Sequence, residues 1–328
     1  MIGSYVTGIL PRPQELVELT RAYEREKVTE KKVEIAFEDA TAKAIKVQES
    51  ARLTYVTDGM LRWQDLLRPF TENLEGVKAG SLARWFNNNT FYRKPVIVDD
   101  IELKRSITGD IARTKFLPKN LPWKVVLPAP YTFVRLSENH FYKNGTEFMF
   151  KYAEVLNEEI KSLEKLGFKY VQLSDPALVY RPFGESISEQ ELKVVSEALK
   201  VAVEGVSVKT CLQTFFGDFS QALPEALEFP VDHLGIDLYE TNVEKLKEYS
   251  LDKGVALGLV DARSSLVENT DDLVKFVGET IESIHSSEKA DFFVCPNCDL
   301  EFLPWERALE KMRVVGDVAE RLGEEAHG

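Results

Sequence analysis

The sequence predicts an α/β protein, a (β/α)8 TIM barrel with a hairpin or loop insertion after its second strand. Eight apolar runs recur along the chain: IGSYVTG, LTYVTDG, KVVLPAPYTF, YVQLSDPAL, VKTCLQTFFGD, HLGIDLYE, VALGLVDARSS and FFVCPNCDLEF. A strand buried on both faces reads as a continuous apolar run, and such strands belong to parallel sheets covered by helices. All but the first run follow a helical or mixed stretch, the alternation that closes a barrel. In a barrel the chemistry sits where strands end. Those ends carry Asp58, Asp175, Asp218, Asp237, Asp261, Arg263 and Cys298.

Ile2–Gly8 reads as the first strand. Pro11 and Pro13 break it and open a long charged helix reaching about Arg52. Leu53–Thr57 is the second strand, ending at Asp58-Gly59. A less regular stretch follows, about residues 62–121. Its asparagine run beside Arg84-Trp85-Phe86, and the segment FYRKPVIV, suggest a loop plus hairpin over the barrel mouth rather than a second domain. One barrel domain over residues 1–328 is expected. The third strand is Lys124–Pro128. Thr146–Leu166 is an amphipathic helix that stops at Gly167, a helix-end glycine. The fourth strand is Tyr170–Leu173. Ser188 with Glu191 forms a capping box before LKVVSEALKVAV. The fifth and sixth strands are Val206–Leu212 and Leu234–Leu238, with Thr241 and Glu244 capping a short helix after the latter. Val255–Val260 is the seventh strand, and Asn269 or Thr270 caps the helix that follows. Asp291–Cys295 is the eighth, and Pro304 opens a last helix ending near Gly323.

The chain has 328 residues, 44% of them hydrophobic, enough for a full core, and a net charge of −13. That charge argues against nucleic acid and anionic membrane as main partners. No window holds the ~20 apolar residues of a spanning helix. The N-terminus lacks the basic region and apolar core of a signal peptide, so a cytoplasmic location is expected. Three cysteines are too few for a disulfide framework.

Cys295-Pro296-Asn297-Cys298 spaces two thiols as metal or redox pairs do, but there is no second such pair and no nearby histidine. Its plain reading is two small residues in a strand-end turn. A carboxylate at a strand end either meets substrate or ties loops to backbone and arginine, with Arg263 and Arg181 at hand. For any single Asp the loop-tying reading is the stronger. Asp237, inside an apolar strand, is the costliest to bury unpaired. His140 lies in a polar segment, His233 before the sixth strand, His285 late in a helix and His327 in the tail, so no histidine stands at the functional end of a strand. Arg84, Trp85, Phe86, Tyr92, Arg93 and Lys94 read as lid packing before they read as a site for a flat anion.

Taken in order, the strand ends resemble the cobalamin-independent methionine synthase family. Ile2-Gly3-Ser4-Tyr5 with Pro11-Arg12-Pro13 is similar to the family's opening turn. Thr57-Asp58-Gly59-Met60 with Arg62 and Asp65 resembles its Asp-Gly-Glu segment, and Trp85–Tyr92 its Trp-Phe-Asp-Thr-Asn segment. Leu173–Leu178 resembles Ile-Asp-Glu-Pro-Ala-Leu. Val260–Arg263 and Cys295–Leu300 match the last two motifs. The resemblance runs from residue 2 to about 310 and makes Ser4, Arg12, Asp58, Trp85, Asp175, Asp218, Asp261 and Arg263 candidates for binding substrate or methyl donor.

Full-length members hold two barrels, of which the C-terminal one binds zinc and homocysteine and the N-terminal one has lost the metal. Thr214–Asp218 is similar to the N-terminal version: Phe215 and Gly217 stand where two zinc ligands would be, Met60 replaces the substrate-binding Glu, and Arg263 replaces the acid His. Asp237 and Cys298 stand at the other two ligand positions, with Cys295 near. Cys211 lies about 13 Å below Phe215 in an ideal strand, and Cys295 turns inward only with a kink. The resemblance therefore implies no tight zinc site of the family type. Three readings stay open. The chain is a subunit supporting methyl transfer to homocysteine in methionine biosynthesis, binding a folate-like pterin or methyl-corrinoid donor, or docking a separate zinc-bearing barrel or corrinoid protein. It is a self-sufficient zinc methyltransferase with a remodelled site. Or it is a non-catalytic binding barrel.

Overall fold

A computed structural model describes residues 2–283, 285–286 and 290–325. Seven parallel strands form the main sheet: β1 (Ile2–Ser4), β4 (Trp123–Pro128), β6 (Phe168–Ser174), β7 (Lys209–Gln213), β8 (His233–Asp237), β10 (Gly254–Val260) and β12 (Phe292–Pro296). Their order is β1-β12-β10-β8-β7-β6-β4. The eighth position is held by the second apolar run, which makes only a bridge, Val56 to Trp123. Around it the Thr54 and Tyr55 amides donate to Ser4 O (2.9 and 3.2 Å), and the Lys124 amide donates to Val56 O (2.8 Å). The run thus lies between β1 and β4. It is too short and irregular to count as the strand expected at residues 53–57.

The remaining strands lie outside the barrel. β2 (Glu75–Arg84) and β3 (Phe91–Glu102) form an antiparallel hairpin, with β5 (Glu138–Asn139) added parallel to β3. β9 (Ser250–Leu251) pairs with β11 (His285–Ser286).

The helices are α1 (Gln14–Glu24), α2 (Glu30–Ser50), α3 (Arg68–Asn73), α4 (Ile107–Ile111), α5 (Pro130–Leu136), α6 (Gly145–Leu166), α7 (Pro176–Val179), α8 (Glu189–Ala202), α9 (Val243–Leu246), α10 (Thr270–Ser283) and α11 (Trp305–Glu325). The long charged helix expected up to Arg52 is two helices. The chain turns between them at Glu26, whose φ of +56° no helix accommodates. The stop at Gly167 stands, in a left-handed conformation with φ +106°. Ser188 caps α8 by accepting from the Glu191 amide (3.2 Å), and Asn269 caps α10 by accepting from the Asp271 amide (2.8 Å). The cap of α9 is Asn242, not Thr241, because the Thr241 hydroxyl is taken by the Phe219 amide (3.2 Å).

Inside the barrel, Tyr5, Tyr170, Cys211, Ala256, Phe293 and Cys295 form one buried layer with Tyr55 against it. Cys295 reaches this layer by plain alternation with Phe293, so it needs no kink to face inward. Lys124 is fully buried beside the layer. Its ammonium donates to Val6 O (2.7 Å) and Thr7 O (3.2 Å) and lies 4.5 Å from the Tyr5 ring centroid. Burial pushes its pKa down to about 7.

Candidate functional site

The site is built at the C-terminal ends of the strands, where each apolar run gives way to a polar turn. Asp175 follows β6 directly and is fully buried. Thr132, on α5, donates to its Oδ1 (2.6 Å). Among the described residues its Oδ2 has no hydrogen-bond partner. Burial pushes the Asp175 carboxyl up to about 7. One strand over, Gln213 ends β7 with neither amide atom partnered among the described residues, and Gln172 likewise leaves its Oε1 free. Gly235 on β8 makes room for Gln213; a Cβ there would lie 2.2 Å from the Gln213 Oε1.

Asp237 ends β8 and is also fully buried. Its Oδ2 accepts from the Phe216 amide (3.2 Å), and its Oδ1 from the Tyr239 amide (3.0 Å) and the Asn297 side chain (3.2 Å). Burial pushes it up to about 6, against the pull of those donors. Cys298 is buried nearby, with its Sγ 3.9 Å from Asp299 O, and burial raises its thiol well above the ordinary value. Cys295 belongs to the lower layer with Tyr5 and Cys211. Among the described residues no three His, Cys, Asp or Glu side chains gather as a metal-binding group.

The other acidic strand ends are tied to backbone. Asp58 accepts from the Met60 amide (2.9 Å) and the Arg113 amide (3.1 Å), and burial raises its pKa. Asp218 accepts from the Ser220 amide (2.9 Å) and the Asn242 amide (3.4 Å). Asp261 accepts from the Arg263 amide (2.9 Å). Arg263 pairs with Glu240 and places its guanidinium 5.7 Å from the Phe216 ring centroid. Arg181, expected to serve an Asp, instead donates to Ala177 O (2.7 Å), Tyr180 O (2.9 Å) and Tyr131 (3.2 Å).

Two candidates lie apart from this cluster. Ser4 sits within β1, its amide donating to Thr54 Oγ1 (2.9 Å). Arg12 donates to Leu61 O (2.8 Å) and Trp63 O (3.3 Å) and stacks on Phe37, which pins the first turn to the segment after Gly59. Trp85, at the hairpin tip, is buried with its indole N–H unpartnered. Phe86 beside it reaches Tyr180 (5.0 Å between centroids) and Phe216 (5.7 Å). The hairpin is anchored by Asp65, which accepts from the Leu67, Arg68 and Arg93 amides at 2.9, 2.8 and 3.1 Å.

Neither described histidine side chain takes part. His233 is buried at the opposite end, stacked on Tyr170 (5.5 Å). His140 is exposed beside Glu138. The His285 backbone lies in β11 rather than in a helix, while its side chain and the whole of His327 lie outside the described residues. Sequence reasoning missed Thr132, Gln172, Gln213, Glu240 and Asn297. Asn297 stands inside the CPNC segment, the one available signal; Thr132 and Glu240 meet Asp175 and Arg263 only between neighbouring βα units.

The chain matches the family model described as "Cobalamin-independent synthase, Catalytic domain" over residues 1–321. It is 29% identical over 319 residues to a methionine synthase of Saccharolobus solfataricus, covering 95% of this chain and 92% of the relative. It is 28% identical over 316 residues to one of Sulfolobus acidocaldarius, covering 95% and 89%. In fold it is similar to a B12-independent methionine synthase from a Shewanella species in complex with selenomethionine, with a TM-score of 0.81, 19% identity, and 99% and 98% of the two chains covered. A methyltransferase from Methanosarcina mazei follows at a TM-score of 0.62 and 12% identity, with 97% and 94% covered. These two likenesses speak for the barrel alone. Among the described residues no helix is long and apolar enough to cross a membrane.

Proposed function

The chain belongs to the cobalamin-independent methionine synthase family, and we propose that it serves methyl transfer to homocysteine as a cytoplasmic barrel without the family's zinc. Its part is to hold the methyl donor, a folate-like pterin or a methyl-corrinoid, or to dock a separate zinc-bearing barrel. One observation carries this reading: the donor set at the mouth does not fit a tetrahedral zinc. Such a site takes at least three Cys, His or carboxylate ligands, four where it is structural. Phe215 and Gly217 offer none, both oxygens of Asp237 are already engaged by N–H donors, and Cys295 belongs to the layer below. What remains at the mouth is a set of buried acceptors, suited to binding. Purification with a zinc barrel from the same organism tests the reading. A complex that raises methyl transfer is expected; no complex and no stimulation overturns the subunit role.

A second reading is favoured by the comparisons. The matched family model is that of the catalytic domain, and relatives of similar length are named methionine synthase. A self-sufficient enzyme would need a metal held by Cys298 and Asp237 with Cys295. Elemental analysis of protein purified without chelator decides it. Stoichiometric zinc lost in Cys298→Ser supports self-sufficiency, and absence of metal removes it.

A further inference from the structure

The mouth is covered by two phenylalanines that the backbone holds in a costly conformation. Among the described residues, five other than glycine have positive φ, and three of them stand at the mouth: Met60 (+53°), Phe86 (+51°) and Phe216 (+69°). Bulky side chains rarely adopt this region, and where they do the surrounding structure must enforce it. The enforcement is visible. Phe216 is fixed by its amide on Asp237 and by Gly217, where a Cβ would lie 2.1 Å from Val179 O. Phe86 sits in the tight tip of the hairpin, where the Trp85 amide donates to Thr90 O (2.9 Å) and the Asn88 amide to Trp85 O (3.1 Å).

The two strained rings meet each other, with centroids 5.7 Å apart. Tyr180 packs against Phe86, Phe302 against Phe216 (6.0 Å), and Arg263 lies over Phe216 while paired to Glu240. Asp175, Asp237, Gln213 and Cys298 are all fully buried below this cover. Asp175 Oδ2, Gln172 Oε1, Gln213 Oε1 and Gln213 Nε2 are left unpartnered there. Buried orphan atoms are rare and expensive, so a cluster of them is suited to a guest that partners them.

We propose that Phe86 and Phe216 form a two-part aromatic plug, strained shut over a buried polar cluster, which must part before any ligand reaches Asp175 or Asp237. One half is carried by the barrel and the other by the hairpin, so withdrawal of the hairpin tip opens the mouth. The cluster offers three free acceptors and one free donor, so it suits a small polar molecule rich in N–H or O–H groups. The plug holds whether the chain is a subunit or a complete enzyme, and its test reads access rather than methyl transfer.

The test is alkylation of the intact protein by iodoacetamide at mildly alkaline pH, with each cysteine followed by peptide mass spectrometry. The Cys298 thiolate displaces iodide, so the rate reports how often the plug parts. Glycine is at ease at both backbone angles, so Phe86→Gly and Phe216→Gly remove the rings and keep the turns. Each variant is expected to speed Cys298 by about tenfold or more while Cys211, in the barrel interior, stays slow. Acceleration in only one variant overturns the two-part plug. So does an unchanged Cys298 in both, a Cys211 that rises in step, or a wild-type Cys298 that reacts as fast as in the unfolded chain.

Discussion

The two ends of the barrel interior are built to different rules. At the lower end Tyr5, Tyr55, Tyr170, His233 and Phe293 interlock with centroids 4.6–5.8 Å apart. Among the described residues that layer holds no bulky residue in a left-handed conformation, and its one orphan atom is His233 Nδ1. At the mouth, three side chains sit at positive φ and the buried acceptors of Asp175, Gln172 and Gln213 lack partners. Local rules are broken where a sequence is kept for something other than stability. The difference separates the part that holds the barrel from the part that uses it.

The strongest way to break this contrast is at the lower end. Tyr170→Ala removes a fully buried ring from among four aromatic neighbours and is expected to cost about 3–5 kcal/mol in a urea titration. A loss under about 1 kcal/mol would mean that the layer is not structural. Titration sharpens the contrast, because the two ends respond to pH with opposite sign. Burial raises Asp175 from 3.8 to about 7, so the folded state binds the proton more tightly and stability falls as pH climbs from about 4 to about 7. Burial lowers Lys124 from 10.5 to about 7, so the unfolded state binds the proton more tightly and stability rises from about pH 7 to about 10.5. Each slope approaches 1.4 kcal/mol per pH unit. Denaturation midpoints across pH should lose the first slope in Asp175→Asn and the second in Lys124→Met; variants that leave both slopes intact contradict the assignment.

A smaller effect distinguishes the strained residues. At φ +69° the left-handed penalty falls on alanine but not glycine, so Phe216→Gly should be more stable than Phe216→Ala by about 1 kcal/mol. The reverse order would remove the strain from the plug. The smallest expected effect is at the rim. Arg263→Gln loses a partly exposed ion pair with Glu240 and should cost about 0.5 kcal/mol, a loss that disappears in high salt.

The barrel was legible because parallel strands announce themselves as apolar runs, and because Gly167, Ser188 and Asn269 end or start helices by local chemistry. The break at Glu26 was not, since nothing in its neighbours signals a positive φ. The second run is as apolar as the others, yet only its pairing partners reveal that it makes a single bridge. The carboxylates at strand ends were legible as a set, but their states were not. Thr132 meets Asp175 only once β4 pairs with β6, and Asn297 meets Asp237 only once β8 and β12 flank β10. The inward turn of Cys295 follows from simple alternation and was open to prediction.

The bridge at Val56 also bears on how the molecule comes apart. Every other junction of the barrel is a ladder of several paired residues, while this one rests on the Ser4, Thr54, Tyr55, Val56 and Lys124 backbone and on the Lys124 ammonium clasping Val6 and Thr7. It is the seam of the cylinder. It joins the second run to β4 through the single bridge of Val56 to Trp123, while a ladder ties β1 to β12, so few hydrogen bonds hold it against local opening. Deuterium should therefore enter the amides of Thr54, Tyr55 and Val56 sooner than those in the middle of β6 or β10, and Lys124→Met should widen that gap.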